Sequence, residues 1–111
     1  MAERRKYKRE EVFVDAEVSS PDFGKSIMQV RDIGMGGIYL EADDGRFPAN
    51  GTEVDVTLLV HMGGEDNHTI KSRVTRVDGD GIALKFLNVD VRYLSFLERL
   101  LDYKATKIIV A

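Results

Sequence analysis

A small all-β domain, a six-stranded antiparallel barrel closed by one C-terminal helix, is the fold this 111-residue chain predicts. Three observations predict it. Apolar residues alternate with polar ones in short runs from Val12 to Phe86, and clusters of Gly, Pro, Asn and Asp separate those runs at hairpin spacing. From Asp90 onward the apolar period changes from two to that of a helix. A chain of this length closes one core and has no room for a second.

Val12, Val14, Ala16 and Val18 share one face of a first strand, and Ser19 to Gly24, with Pro21 and Asp22, turns the chain. Ile27 to Ile33 makes a second strand, although its alternation is poor and the reading leans on its neighbours. After Gly34-Met35-Gly36-Gly37 the run Ile38 to Ala42 alternates cleanly, and Asp43 to Gly51, with Pro48 and Asn50, reads as a loop. Val54, Val56, Leu58 and Val60 mark a fourth strand. Met62 to Asn67 is a hairpin loop leading into a fifth strand, Thr69 to Val77. Asp78-Gly79 and Asp80-Gly81 favour a tight turn with positive φ, which delivers Ile82, Leu84 and Phe86 on a sixth. Closing these strands into a barrel removes exposed edges.

Val91, Leu94, Leu97 and Leu101, with Phe96 and Leu100 alongside, follow helical spacing, and either Asn88 or Asp90 can serve as the N-cap. A helix of about three turns is marginal alone in water, so it packs across the barrel. Two readings stand open for the apolar tail at 105–111: an added edge strand or an interaction segment. The expected organisation is a flexible basic arm over residues 1–10, the barrel with its helix over 11–104, and the tail.

Composition excludes several classes. Without cysteine there is no disulfide, Cys-based zinc site or thiol nucleophile. No apolar run approaches the roughly 18 residues that span a bilayer, and the charged start Met1 to Arg5 is not followed by the apolar segment of a signal peptide. The expectation is a cytoplasmic protein without membrane insertion. Net charge is −3, but Arg4, Arg5, Lys6, Lys8 and Arg9 against Glu3 give residues 1–9 a local +4 and leave −7 on the rest. A basic arm is attached to an acidic body.

Two motifs stand out. The arm carries R-x-x-x-R as Arg5-Lys6-Tyr7-Lys8-Arg9, and the third strand is preceded by Asp32-Ile33-Gly34-Met35-Gly36-Gly37. Guanidinium forks suit phosphate oxygens and the O6/N7 edge of guanine, and a glycine-rich turn admits a flat ligand close to backbone. Each motif also has a plain structural reading. The arm can be a solvated terminus, the glycines an ordinary hairpin or bulge, and Asp32 a cap on its own turn.

Taken in order along a barrel sequence, the two motifs resemble those of the PilZ domain family, whose second motif is D-x-S-x-x-G. Ile38-Tyr39-Leu40, Val74 to Val77 and Gly81 to Phe86 resemble further blocks of that family, and the terminal helix stands where the family has one. The resemblance implies a bacterial receptor for the second messenger cyclic di-GMP. It implies that Arg5 and Arg9 hold guanine edges and phosphate oxygens, with Arg4 as a third cationic contact. Asp32 would accept from guanine N1–H and N2–H₂, and Gly36 and Gly37 would supply the close turn. Gly34 departs from the family, which has Ser there. Losing one hydroxyl contact costs on the order of 0.5–1.5 kcal/mol, roughly three- to tenfold in affinity, less than two charge-assisted arginine forks contribute.

Other chemistry finds little support. His61 and His68 flank a loop bearing Glu65 and Asp66, which reads as a solvated hairpin loop more readily than as a metal site. Asp43-Asp44 and Asp78-x-Asp80 lack the ligand count of a calcium loop. No nucleophile–base constellation appears, so the expectation is a non-enzyme with no cofactor besides the ligand. Arg31 and Arg76 read as strand-surface charges, and Tyr7 as packing of the arm on the barrel.

Three functions follow in order. The first is a stand-alone cyclic di-GMP sensor whose arm becomes ordered on binding and signals through a protein effector. The second is an adaptor that keeps the barrel without the ligand, motivated by Gly34. The third, a nucleic-acid-binding barrel, is disfavoured by the acidic body and by the lack of an aromatic-basic stripe.

Overall fold

The computed structural model describes residues 15–43, 45–59 and 67–110, the last ten as backbone. Six strands run in chain order: β1 Asp15–Ser20, β2 Gly24–Ile33, β3 Gly37–Glu41, β4 Glu53–Leu59, β5 His68–Val77 and β6 Gly81–Phe86. They close as β1-β2-β3-β6-β5-β4, with β4 returning to β1 and every pair antiparallel. The expected six-stranded barrel is what forms.

The alternation explains the closure. Ala16 and Val18 of β1, Val54, Val56 and Leu58 of β4, and Ile82, Leu84 and Phe86 of β6 all point into one buried core. Full burial of each such side chain stabilises by roughly 1.5–3 kcal/mol, before the entropy of ordering the chain is set against it. Val12, Val14 and Val60, expected on the same faces, lie outside the described residues. Outward positions pair across strands: Glu53 with Arg73 at 2.8 Å, Asp55 with Lys71 at 3.5 Å, and the hydroxyls of Thr57 and Thr69 at 2.8 Å.

The poor alternation of β2 has a cause. Pairing with β3 shifts between Val30 and Asp32, a bulge at Arg31, so the buried residues run Met28, Val30 and then Ile33. The bulge rotates Asp32 to the outer face while keeping Ile33 in the core.

The turn at Gly79 departs from expectation. Asp78 N–H donates to the Gly81 carbonyl at 2.8 Å, but neither Gly79 nor Gly81 has positive φ. The pairing of β5 with β6 shifts between Val74 and Arg76, and this second bulge supplies twist that the turn would otherwise carry. Gly81 is needed for space instead. A Cβ there would lie 2.5 Å from the Tyr39 hydroxyl and 2.6 Å from the Leu40 carbonyl oxygen.

Helix α1, Val91–Val110, is longer than the three turns expected. It continues through Lys107 to Val110, so that segment is not an edge strand. Asp90 caps it, its Oδ1 accepting from Tyr93 N–H at 3.0 Å. The buried stripe is Tyr93, Phe96, Leu97 and Leu100, with Leu94 partly covered. Val91, expected on that stripe, is 76% exposed. The helix lies over the end of the barrel where β5 begins and β6 finishes, with the Tyr93 ring edge-on to Phe86 at 5.0 Å and Phe96 stacked on His68 at 5.1 Å. His68 is therefore the first residue of β5, packed beneath the helix, and not part of a solvated loop. His61 lies outside the described residues, and none of those described forms a metal-binding cluster.

Candidate functional site

Asp32 and the three glycines converge where β2 ends and β3 begins. Asp32 sits on the outer face beyond the bulge, opposite Tyr39, half-buried and with its Oδ1 wholly buried. The backbone then turns through Gly34, Met35 and Gly36. Gly34 N–H donates to the Gly37 carbonyl at 3.0 Å, and the Gly36 carbonyl accepts from Phe86 N–H at 2.9 Å. Tyr93, fully buried on the barrel-facing side of α1, donates its hydroxyl to the Gly34 carbonyl at 2.6 Å. Burial pushes that phenol well above its ordinary range, so it remains a donor.

The turn is thus fixed to β6 on one side and to the helix on the other. Its glycines are not there for left-handed backbone, since none of Gly34, Gly36 and Gly37 has positive φ. Gly37 is required by crowding, because a Cβ would fall 2.5 Å from the Leu84 carbonyl oxygen. Gly36 is exposed, with nothing within 4 Å of where its Cβ would be. That leaves an open stretch of backbone beside a carboxylate, a surface a planar ligand can approach.

Beside Asp32 lies a network that the sequence reading missed. Tyr39 donates its hydroxyl to Asp78 Oδ2 at 2.9 Å, and Arg76 Nε donates to both oxygens of the same carboxylate at 3.1–3.2 Å. The Tyr39 phenol is raised, first by desolvation and then by its bond to Asp78. The Asp78 carboxyl is lowered, first by the Tyr39 bond and then by Arg76. On the other flank Arg31 pairs with Glu41 across β2 and β3. Tyr39 is far in sequence from Arg76 and Asp78, and only the β3–β6–β5 pairing brings it to them.

Of the residues expected to bind, Asp32, Gly34, Gly36 and Gly37 are gathered at one place, whereas Arg4, Arg5 and Arg9 lie outside the described residues. The PilZ domain family model matches residues 3–103. The chain belongs to the PilZ domain family. Its barrel is similar to the PilZ domain of Escherichia coli YcgR in a structure with c-di-GMP, at a TM-score of 0.75 and 14% identity over 95% of each chain. It is also similar to the Bacillus subtilis inhibitor of motility MotI/DgrA, at 0.70 and 14% identity over 96% of this chain and 53% of that one. A third likeness is to Klebsiella pneumoniae MrkH in its c-di-GMP complex, at 0.61 and 17% identity over 97% of this chain and 54% of that one. This PilZ domain therefore spans about half the length of MotI and of MrkH. No curated protein sequence matches the chain significantly.

Proposed function

We propose that this PilZ domain is a receptor for cyclic di-GMP, with Asp32 and the Gly34–Gly37 backbone as one wall of the site and Arg4, Arg5 and Arg9 as the cationic arm. The observation that carries the reading is the placement of Asp32, turned outward by the bulge in β2 beside backbone that Gly36 leaves open. A carboxylate accepts from guanine N1–H and N2–H₂, and the arm neutralises the ligand's two phosphates. Ligand binding orders the arm, and the altered surface is read by a protein effector. That switch requires ligand affinity to differ between the two states of the arm. The domain acts by binding and not by catalysis, in the cytoplasm; no helix among the described residues is long and apolar enough to cross a membrane.

Isothermal titration calorimetry with cyclic di-GMP, with GTP and cyclic GMP as controls, tests the reading. Selective binding in the parent that is lost in Arg9→Ala and weakened in Asp32→Ala supports it. Flat heats at two temperatures from a folded protein would overturn it in favour of the ligand-independent adaptor, for which Gly34 in place of Ser is the motivating residue.

A further inference from the structure

Three glycines leave the turn between β2 and β3 with little stiffness of its own, because Gly34, Gly36 and Gly37 restrict φ and ψ far less than other residues would. One bond closes the turn internally, from Gly34 N–H to the Gly37 carbonyl, and two hold it from outside. The Phe86 amide of β6 fixes the Gly36 carbonyl, and the Tyr93 hydroxyl of α1 fixes the Gly34 carbonyl. A trans peptide group is planar, so seating that carbonyl on the buried hydroxyl turns the Met35 N–H to the opposite side, away from the helix. A single bond from the helix thus sets the backbone plane at the tip of the turn.

The seat of that hydroxyl contains an ionisable ring. His68 opens β5 on the strand face that carries Ile70 and Ser72 into the core, and it is half-buried at the mouth of the barrel. Its ring stacks on Phe96 and lies tilted beside Tyr93. Leu58 of β4 is its strand partner. Among the described residues, the charged groups that act on it are Asp90 and Arg92 at the start of α1, of which Asp90 favours a protonated ring and Arg92 opposes one. Desolvation outweighs Asp90, so the docked helix prefers His68 neutral.

We infer that Tyr93 is a positioning residue for the cyclic di-GMP site, holding the Gly34 turn in its binding shape from the helix behind it, and that His68 beneath α1 makes this support sensitive to protons. The inference rests on the cyclic di-GMP reading and adds regulation to it. Tyr93 is buried and touches no ligand; it acts through the Gly34 peptide. A charged imidazole packed against Phe96 and Tyr93 favours a loosened helix, the hydroxyl then leaves the Gly34 carbonyl, and the glycine turn loses its shape. Binding and helix docking are one linked equilibrium, so the ligand must in turn favour the docked helix and neutral His68. Affinity is therefore highest above pH 6.5, the ordinary histidine value, falls as pH drops through it, and levels off below the lowered value of the folded state.

The test is calorimetry with cyclic di-GMP on the full chain at about pH 7.5 and about pH 5.5, on either side of the histidine range. The parent is compared with Tyr93→Phe, Leu97→Ala, His68→Gln and Asp32→Ala, each shown to be folded by circular dichroism. At the higher pH, Tyr93→Phe is expected to weaken binding about fivefold or more. Leu97→Ala loosens the same helix without removing the hydroxyl, and is expected to cost more stability and less affinity. The parent should lose about threefold or more in affinity between the two pH values, and His68→Gln should lose less. Parent-like affinity in Tyr93→Phe, or losses in Tyr93→Phe and Leu97→Ala that only follow stability, would overturn the positioning role. Equal pH slopes in the parent and His68→Gln would overturn the proton link. Should Tyr93→Phe fail to fold, amide exchange decides: the ligand is expected to slow exchange at Gly34 and in the first turn of α1 of the parent, and no slowing there overturns the inference. If Asp32→Ala abolishes binding while Tyr93→Phe leaves it intact, the receptor reading stands and the inference falls. If the folded parent binds nothing at either pH, both fall.

Discussion

The Tyr93 hydroxyl donates to the Gly34 carbonyl at 2.6 Å, joining the first turn of α1 to the turn between β2 and β3. Tyr93 is fully buried and Gly34 is buried with it. No water can replace either partner without opening the helix from the barrel. Tyr93→Phe removes the donor, keeps the ring packing against Phe86, and leaves the Gly34 carbonyl unsatisfied. The expected cost is about 1–3 kcal/mol, read as a fall in thermal midpoint of roughly 4–8 °C per kcal/mol. Hydrogen exchange at the Gly34 amide should quicken with it. A parent-like midpoint would show that the bond contributes nothing.

Gly36 and Gly37 are adjacent and should respond differently. Gly37→Ala drives a methyl group onto the Leu84 backbone carbonyl at 2.5 Å, on a strand that has no flexible side chain to move aside. A destabilisation of about 1–3 kcal/mol is expected in urea unfolding, with loss of the β3–β6 pairing nearest the site. Gly36→Ala meets nothing within 4 Å and should stay within about 0.5 kcal/mol of the parent. Any loss of cyclic di-GMP affinity in Gly36→Ala therefore reports the ligand surface and not the fold.

The helix offers a similar contrast between expectation and packing. Leu97 is 1% exposed and Val91 76% exposed, although sequence spacing puts both on one apolar stripe. Leu97→Ala should cost about 2–5 kcal/mol by leaving a cavity between α1 and the barrel. Val91→Ala should change stability by less than about 0.5 kcal/mol. Equal effects in chemical denaturation would mean that the helix sits on a different face.

What was legible in the sequence follows from which forces are local. β4 and β6 announce themselves because Val54, Val56, Leu58 and Ile82, Leu84, Phe86 alternate without interruption. β2 does not, because the bulge at Arg31 breaks its period, and that break is what turns Asp32 outward. The length of α1 was hidden by Thr106, Ile108, Ile109 and Val110, whose β-branched side chains favour strands when tertiary contacts are ignored. Tyr93 was passed over in favour of Val91, yet its spacing to Phe96, Leu97 and Leu100 is the i, i+3, i+4, i+7 signature of the buried face. Asp32, Gly34, Gly36 and Gly37 lie within six residues and could be read as one motif. The Tyr39–Asp78–Arg76 network needed strand register, which no local pattern encodes.

His68 makes the fold sensitive to pH. Its ring is stacked on Phe96 at 5.1 Å and lies 5.7 Å from Tyr93. Desolvation holds its pKa below the ordinary 6.5, and Arg92 adds to the lowering while Asp90 opposes it. The folded state therefore binds a proton less readily than the unfolded chain. Stability is highest above the unfolded value, falls as pH drops through 6.5, and levels off only below the depressed folded pKa. Asp90 behaves as a carboxylate with a lowered pKa, first because it accepts from Tyr93 N–H. Its contribution is present above its ordinary 3.8 and is lost at lower pH, which separates the two windows. Thermal midpoints measured between about pH 7.5 and 5.5 should decline in the parent and decline less in His68→Gln. Identical slopes in the two proteins would assign the pH dependence to other groups and leave His68 as a purely apolar contact of the helix.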